Sequence, residues 1–376
     1  MTLLRQYETA LANSTQLEHA IGFAYARTAL AAILRAIGVA AGDEIVLSPL
    51  TCKVVPLVLM SLKLRPVYAD IDPATLNLDA SAAVPAITSR TRAILFQRTY
   101  GMAAGIREAK AVADAHGIPL IEDCAQCLPM ASGDPPPGHV GLAAIYSNNL
   151  RKPMPAGSGG IAGTNDGKLA SEISRYRDAL TTEGLPARLR LRTEVVLHEH
   201  LLTPSRYWTL YGLSRRFLSG SPAETASAAI ANEVSNTAHA LSSFRIQQGL
   251  SWLRRLSKVS AHSIECSAEY SRYLRECSVA AAEADTFLYY FPVRIRRKEE
   301  LLRKAAEKKV ELIAWPIRNP IFPLESDADG VSLGYKPGMC PQADRIAREL
   351  VGLPTDEQID AAHRQKITSL VTRYLN

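Results

Sequence analysis

Apolar residues along the first half of the chain follow two alternating spacings. One recurs every three or four positions, as over residues 26–37, and predicts an amphipathic helix. The other is a short continuous run, as in Ile45-Val46-Leu47 and Ala93-Ile94-Leu95-Phe96, and predicts a buried strand. Because the two kinds alternate, we expect an α/β fold with a mostly parallel sheet between helices. The apolar positions of the first pattern are Leu30, Ile33, Leu34 and Ile37.

The same patterns give approximate bounds for the elements. In the first half, helices are predicted at 3–12, 26–37, 52–62, 106–116 and 166–180. Strands are predicted at 45–47, 66–70, 93–96, 118–122 and 143–147, with another short strand after Gly157-Ser158-Gly159-Gly160. The second half is predicted to hold a helix at 247–277, a strand at 287–295, a helix at 298–309, a strand at 310–315 and a helix at 356–374. We therefore expect a large domain over 1–245 and a smaller C-terminal α+β domain over 246–376.

The composition changes inside the large domain, over about 185–220. Residues 188–192 alternate arginine and leucine, and aromatic residues are interleaved with arginines over 198–218. This mixture is typical of an interfacial amphipathic helix. Two interpretations remain open: a helical insertion packed on its own subunit or a neighbour, or a peripheral contact with a membrane. The interleaved residues are Arg206, Tyr207, Trp208, Tyr211, Arg215, Arg216 and Phe217.

The bulk composition is that of an ordinary soluble protein. The chain has 376 residues, of which 47% are hydrophobic and 21% charged, enough for a large core. A net charge of +6 favours an anionic small molecule over a nucleic acid, and no RNA- or DNA-binding motif is present. The first residues lack the pattern of a signal peptide, and no run of about 18 apolar residues follows. We expect a cytoplasmic protein whose six cysteines are reduced.

Two charged residues in the first half indicate the chemistry. Asp123 ends an apolar run, and Lys152 lies in a loop further along the chain. A buried carboxylate keeps the pyridine nitrogen of pyridoxal phosphate protonated, so that the ring accepts electrons from a substrate. A lysine held beside that ring loses basicity and readily forms a Schiff base with the cofactor aldehyde. Together they predict a pyridoxal phosphate site with Asp123 and Lys152 as its catalytic residues.

Other cofactors are less compatible with the sequence. No predicted strand-to-helix turn contains G-x-G-x-x-G, and the Walker lysine motif is missing. Cys124 and Cys127 form a C-x-x-C pair, which is compatible with a redox site or half of a metal site. No second pair and no histidine cluster follows at metal spacing, and Asp123 and Gln126 in the same string have another use. No metal site is therefore expected.

Several strings in the first 170 residues or so resemble the DegT/StrS-type aminotransferases. Members of this family are pyridoxal phosphate enzymes of fold type I that mostly aminate keto sugars attached to nucleotides. The resemblance implies a large domain with a seven-stranded type of sheet and a smaller C-terminal domain. The matching strings, in the family's order, are Arg27-Thr28-Ala29-Leu30, Gly42-Asp43-Glu44-Ile45, Val67-Tyr68-Ala69-Asp70-Ile71-Asp72, Tyr100-Gly101, Ile121 to Gln126, Ser147 to Lys152, and Gly159-Gly160 followed by Thr164-Asn165-Asp166.

The resemblance also implies roles for single residues. Asp123 corresponds to the family's partner of the pyridine nitrogen, and Gln126 to its contact with the ring hydroxyl oxygen. Ser147 and Lys152 match the family's S-x-x-x-x-K, in which the serine binds the cofactor phosphate and the lysine carries the internal aldimine. Ala26-Arg27 opens a predicted helix, whose free N–H groups and positive dipole end suit a phosphate dianion, and Arg27 can add a full charge.

Three places depart from the family pattern. Thr51-Cys52 stands where many members place an aromatic residue over the cofactor ring, so Cys52 is the expected neighbour of the ring. Arg98-Thr99-Tyr100-Gly101 replaces the frequent His-Leu-Tyr-Gly, and we expect Arg98 and Tyr100 to contact substrate. Asn236 is a weak substitute for the Asn-Tyr-Arg run that helps relatives hold a nucleotide sugar across the dimer interface.

The sequence therefore predicts an aminotransferase that uses pyridoxal phosphate, an amino donor and a keto-sugar substrate. By resemblance, the donor is glutamate, the sugar is nucleotide-linked, and the enzyme is a homodimer with shared active sites. Lys152 favours this branch, because some relatives that lack the lysine dehydrate their substrate instead. Two alternatives stay open. One is an aminotransferase for a lipid-linked or other carrier-bound ketone that docks through 198–218, and the other is a non-catalytic scaffold or regulator.

Overall fold

The computed structural model describes residues 1–157, 159–201, 239–274, 285–316, 318–324 and 326–375. The predicted insertion is only partly included in these ranges. Its first part forms a helix over Leu185–Leu201. The interleaved aromatic residues and arginines of 206–217 lie outside the described residues, as does Asn236.

Seven strands form one sheet in the order β1-β7-β6-β5-β4-β2-β3. Strand β7 runs antiparallel to both of its neighbours, and the remaining pairs are parallel. The expected α/β fold with a mostly parallel sheet is confirmed, whereas β1 was not predicted. The strands are β1 (His19–Phe23), β2 (Glu44–Leu47), β3 (Arg65–Tyr68), β4 (Thr91–Gln97), β5 (Leu120–Asp123), β6 (Ala143–Ser147) and β7 (Gly160–Thr164).

Helices cover both faces of this sheet because its strands are apolar on both sides. Successive residues of β4, such as Leu95 and Phe96, belong to different cores on opposite faces. Helices α2, α3 and α6 pack on the Leu95 face, and α4 and α5 pack on the Phe96 face. The helices up to residue 201 are α1 (Leu3–Thr15), α2 (Ala26–Ala36), α3 (Val54–Ser61), α4 (Ala80–Ala83), α5 (Ile106–Ala115), α6 (Gly167–Asp178) and α7 (Leu185–Leu201).

The second half combines helices with a two-stranded antiparallel sheet. The long helix predicted at 247–277 is interrupted near Arg254, so that two helices replace it. The strand predicted at 310–315 is wrong, since in these described residues only Ile313 pairs, through two backbone hydrogen bonds with Gly352. The elements are α8 (Ser243–Leu253), α9 (Leu256–Leu274), β8 (Tyr290–Arg294), α10 (Lys298–Glu307), α11 (Asp327–Ser332), α12 (Pro341–Glu349), β9 (Leu350–Pro354) and α13 (Ala361–Val371).

None of the helices within the described ranges combines the length and the apolar character needed to cross a bilayer.

Candidate active site

Two polar side chains end adjacent strands on the same face of the sheet. Asp123 is the last residue of β5 and Ser147 the last of β6. Side chains alternate along a strand, so Asp123 shares its face with Ile121 and Ser147 shares its face with Ile145. Both isoleucines belong to the core beneath α2, whereas Glu122 projects to the opposite face. Asp123 and Ser147 therefore lie on the α2 side of the sheet at its carboxyl edge.

The beginning of α2 is held against this edge by a glycine. Gly160 of β7 pairs with Ser147, and a Cβ added at Gly160 would lie 2.2 Å from the backbone nitrogen of Ala26. Such a separation is far below van der Waals contact. The start of α2 can therefore approach β7 this closely only because residue 160 is a glycine and has no side chain. The approach brings the N-terminal turn of α2 next to Ser147. The positive end of the helix dipole at this place favours an anion.

Substitution of Gly160 by alanine should push α2 away from Ser147. The added Cβ meets backbone atoms of Tyr25 and Ala26, which cannot rotate aside as a side chain would. We expect a loss of about 1–3 kcal/mol in the free energy of unfolding from this overpacking. Anion binding, measured by calorimetry with inorganic phosphate or a phosphorylated ligand, should weaken. Gly167→Ala is the control, because the atom nearest to its added Cβ would be His19 Nε2 at 3.5 Å, an ordinary van der Waals distance. Equal anion affinity in the Gly160 variant and the wild type would contradict this account of α2.

Asp123 and Lys152 interact electrostatically. Burial raises the pKa of Asp123, while a hydrogen bond from the backbone N–H of Ala125 (2.9 Å) and the positive charge of Lys152 act to lower it. Lys152 follows Ser147 in the loop between β6 and β7, where its backbone N–H donates to the carbonyl of Asn149 at 2.9 Å. Burial disfavours the anionic form of a carboxyl group, and a cation beside the group stabilises that anionic form. The pair can therefore receive a ligand with a positively charged end.

Gln126 lies in the turn that follows Asp123. Its Oε1 accepts a hydrogen bond from the backbone N–H of Tyr100 at 2.6 Å, and its side chain is buried. Tyr100 has a left-handed backbone with φ of 56°. Tyr100 also donates its hydroxyl hydrogen to the carbonyl of Trp315 and accepts, at its own carbonyl, a hydrogen bond from the N–H of Tyr289. Gln126 is therefore connected through Tyr100 to the second half of the chain.

Arg27 lies one residue inside α2. Its guanidinium carbon is 4.5 Å from the centre of the Tyr25 ring, and that of Arg245 is 4.9 Å from the same ring. Arg245 is buried and paired with Glu183 at 2.9 Å, which fixes it in place. Arg27 adds positive charge near the start of α2, whereas the charge of Arg245 is balanced by Glu183. The charge of Arg27 reinforces the preference of the helix end for an anion.

The structure does not bring Arg98 to the Asp123 face. Its guanidinium is buried and pairs with Glu122 at 2.8 Å on the opposite face of the sheet. Its remaining hydrogen-bond donors reach the carbonyls of Pro135 and Pro136 at 2.8 and 3.0 Å. With its donors occupied in this way, Arg98 braces the loop before β6. The expectation that it contacts substrate has no support in this geometry.

Two further expected residues are placed as follows. Tyr100 lies beside Gln126, but its side chain is buried and its hydroxyl is engaged by Trp315. Cys52 is half-buried in the loop after β2, where it forms a backbone bridge with Phe322. The loop before it is held by Gln97, whose side chain bonds to Thr51 and to the carbonyl of Leu50.

Aromatic residues of the second half that sequence reasoning did not single out border this region. Tyr289 donates its hydroxyl hydrogen to the carbonyl of Arg151, the residue before Lys152, and its ring packs 4.0 Å from that of Tyr290. Trp315 packs on Tyr100 at 5.5 Å and on Phe322 at 6.4 Å. The sequence signal for Tyr289, Tyr290 and Trp315 was their aromatic character within predicted strands. Their approach to the lysine loop depends on the long-range fold.

Taken together, these groups suit a planar ligand with a phosphate at one end and a protonated nitrogen at the other. Ser147, the start of α2 and Arg27 supply the anion end, and buried Asp123 supplies the cation end. Lys152 supplies an amine that can act as a nucleophile or move a proton.

Comparison with known proteins gives consistent results. Residues 2–196 match the sequence profile described as the DegT/DnrJ/EryC1/StrS aminotransferase family. A "Pleiotropic regulatory protein" of Geobacillus stearothermophilus is 26% identical over 99% of this chain and 89% of its own length. An "L-glutamine:2-deoxy-scyllo-inosose aminotransferase" of Streptomyces paromomycinus is 32% identical over 46% of this chain and 41% of its own length. The chain thus matches less than half of the length of that relative. The crystal structure of DesI, solved in the presence of its TDP-sugar product, has the same fold, with a TM-score of 0.73, 22% identity, and coverage of 99% of this chain and 84% of that one.

Proposed function

The chain belongs to the DegT/DnrJ/EryC1/StrS aminotransferase family, and from this premise we propose that it moves an amino group from an amino acid to a keto sugar with the help of pyridoxal phosphate. The observation that carries the proposal is the shared face of Asp123, Ser147 and the start of α2, with Lys152 close enough to act on the charge of Asp123. Bound pyridoxal phosphate supplies an electron sink for the pair of electrons left when a proton leaves the carbon that bears the amino group.

The residues act on that chemistry in distinct ways. Asp123 holds the proton on the ring nitrogen, since burial makes its carboxylate dependent on a nearby cation. Ser147, Ala26 and Arg27 hold the phosphate end. Gln126, fixed by the N–H of Tyr100, orients the ring through its hydroxyl oxygen. The amine of Lys152 would hold the cofactor by its aldehyde and would move the proton at the substrate carbon.

The substrates follow from chemistry and from the relatives. The donor is glutamate, as the family resemblance implies, or glutamine, which appears in the name of the Streptomyces paromomycinus relative. The acceptor is a cyclic ketone with several hydroxyl groups, either a nucleotide-linked sugar, for which the DesI complex is a precedent, or a free ring such as the inosose of that relative. We propose a cytoplasmic homodimer with shared active sites as the working form.

A two-step assay tests the proposal. Protein incubated with pyridoxal phosphate should show the visible absorbance of bound cofactor. L-Glutamate or L-glutamine should remove this absorbance and release the matching keto acid, while the D-isomers serve as controls. A keto sugar should then restore the absorbance. Protein that stays colourless after incubation would contradict the cofactor assignment.

A regulatory role is the second candidate, because the relative that covers 99% of this chain is named a pleiotropic regulatory protein. The outcome that distinguishes this role is bound cofactor whose absorbance no amino donor changes.

Amino transfer to a carrier-bound ketone is the third candidate function. It is favoured by α7, where Leu185, Leu189 and Val196 are 60%, 53% and 54% exposed close to Arg188 and Arg192. In that case the donor step succeeds, and only a lipid- or protein-linked ketone restores the absorbance.

A further inference from the structure

Cys124 and Cys127 are the first and fourth residues of the turn that follows β5. The backbone N–H of Cys127 donates to the carbonyl of Cys124 at 2.9 Å. A turn closed in this way keeps its end Cα atoms within about 7 Å, and disulfides bridge Cα atoms about 4.4–6.8 Å apart. The two thiols are free and close enough to interact with each other. A bridge between them therefore requires side-chain rotation and a small adjustment of the turn.

The two sulfur atoms differ in accessibility. Cys124 is fully buried, whereas Cys127 is 2% exposed and lines a cavity of about 430 Å³ together with Arg98, Gly101, Leu128, Pro135 and Phe287. Burial raises the pKa of the Cys124 thiol well above its usual value, and its Sγ donates a hydrogen bond to Oε2 of the equally buried Glu122 at 3.8 Å, so this thiol remains protonated. Cys127 is consequently the sulfur that a small molecule in the cavity meets first, with the guanidinium of Arg98 close to both thiols.

The turn also carries the groups that the proposed function assigns to the cofactor. The N–H of Ala125 donates to Asp123 at 2.9 Å, and Gln126 accepts from Tyr100 at 2.6 Å. Sulfur atoms in a disulfide are about 2.05 Å apart, much closer than two thiols in contact. Drawing Cys124 and Cys127 together must shift Ala125 and Gln126, which lie between them. The orientation of Asp123 and Gln126 thus depends on the oxidation state of the pair.

We infer that Cys124 and Cys127 form a reversible thiol–disulfide site whose oxidation weakens the binding of pyridoxal phosphate, an inference that rests on the proposed function. The oxidant is a small-molecule disulfide such as glutathione disulfide. The sulfur of Cys127 attacks it, forms a mixed disulfide and releases one glutathione thiol. Cys124 then attacks Cys127 and releases the second. Two electrons pass to glutathione, and the two protein thiol protons end on the two glutathione thiols.

The experiment equilibrates cofactor-free protein in glutathione buffers of stepped oxidation. Mass spectrometry after alkylation counts the free thiols, and absorbance titration gives the Kd for pyridoxal phosphate at each step. We expect one intramolecular bridge, mapped by proteolysis to Cys124 and Cys127, and a Kd raised at least about tenfold in the bridged form. Dithiothreitol should reverse both changes.

Matched variants separate the causes. Cys127→Ser lacks the attacking sulfur and should keep one Kd throughout the redox series. Cys124→Ser should stop at the mixed disulfide of Cys127 with glutathione and form no bridge, whereas Cys340→Ser, at a buried cysteine outside the turn, should respond like the wild type. A bridge that forms without changing the Kd, or no bridge in oxidised buffer, overturns this inference alone. Reduced protein that binds no pyridoxal phosphate overturns the proposed function and this inference with it.

Discussion

Replacement of Lys152 by alanine should reduce amino transfer by at least about 10⁴-fold, since the variant lacks both the anchoring amine and the group that moves the proton. The phosphate end of the site should remain, because Ser147 and the start of α2 are positioned by β-pairing and by Gly160 rather than by Lys152. The measurement is keto acid release in a single turnover with L-glutamate or L-glutamine, alongside phosphate-ligand affinity by calorimetry.

Two controls interpret that loss. Lys152→Arg keeps a positive charge near Asp123 but removes the nucleophile, so it should be as inactive as the alanine variant. Lys168→Ala removes an exposed lysine at the start of α6 and should leave the rate unchanged. Substantial turnover in Lys152→Arg would mean that Lys152 acts through its charge alone, and the proposed role of its amine would be wrong.

Replacement of Glu122 by glutamine should destabilise the fold by about 3–5 kcal/mol, because it leaves the guanidinium of Arg98 buried without a counter-charge. Glu122 is fully buried and also accepts backbone hydrogen bonds from Gly138, Val140 and Gly141 at 2.8–3.0 Å. Urea unfolding gives the change in the free energy of unfolding. Asp114→Asn, which breaks the exposed pair with Lys110, is the control and should cost no more than about 1 kcal/mol.

A double variant tests the cause. Glu122→Gln combined with Arg98→Met removes both charges, so it should recover part of the lost stability. The folded double variant should still bind the cofactor, because Glu122 and Arg98 lie on the opposite face of the sheet from Asp123. Loss of cofactor affinity in a well-folded double variant would show that Arg98 takes part in the cofactor site after all.

Much of the candidate site could be predicted from the sequence because its residues lie in one contiguous stretch. Asp123, Gln126, Ser147 and Lys152 span 30 positions, and parallel strands bring their carboxyl ends to one edge regardless of distant contacts. Arg98 was misplaced for a related reason. Its side of the sheet depends on the register that pairs Gln97 with Asp123, and the sequence does not contain that register.

The second half was harder to predict. Residues 310–315 are apolar at every position except Glu311, but a strand also needs a partner, and in this segment only Ile313 finds one. Strand β9 contains Gly352 and Pro354, which lower strand propensity, and packing rather than pattern fixes it. The break near Arg254 has no proline or glycine to mark it. Trp315, which packs on Tyr100, comes from the first of these segments.

The hydrogen bonds of Tyr100 also bear on how the protein is made. Its hydroxyl partner, Trp315, is synthesised 215 residues later. At a translation speed of about 5–20 residues per second, that interval lasts about 10–40 s. In its later part, after Thr164 has been made, a nascent chain on the ribosome contains all seven strands of the sheet but lacks Trp315. Cofactor capture should therefore follow the synthesis of Trp315, and a truncated polypeptide ending near residue 200 should be isolated without bound pyridoxal phosphate.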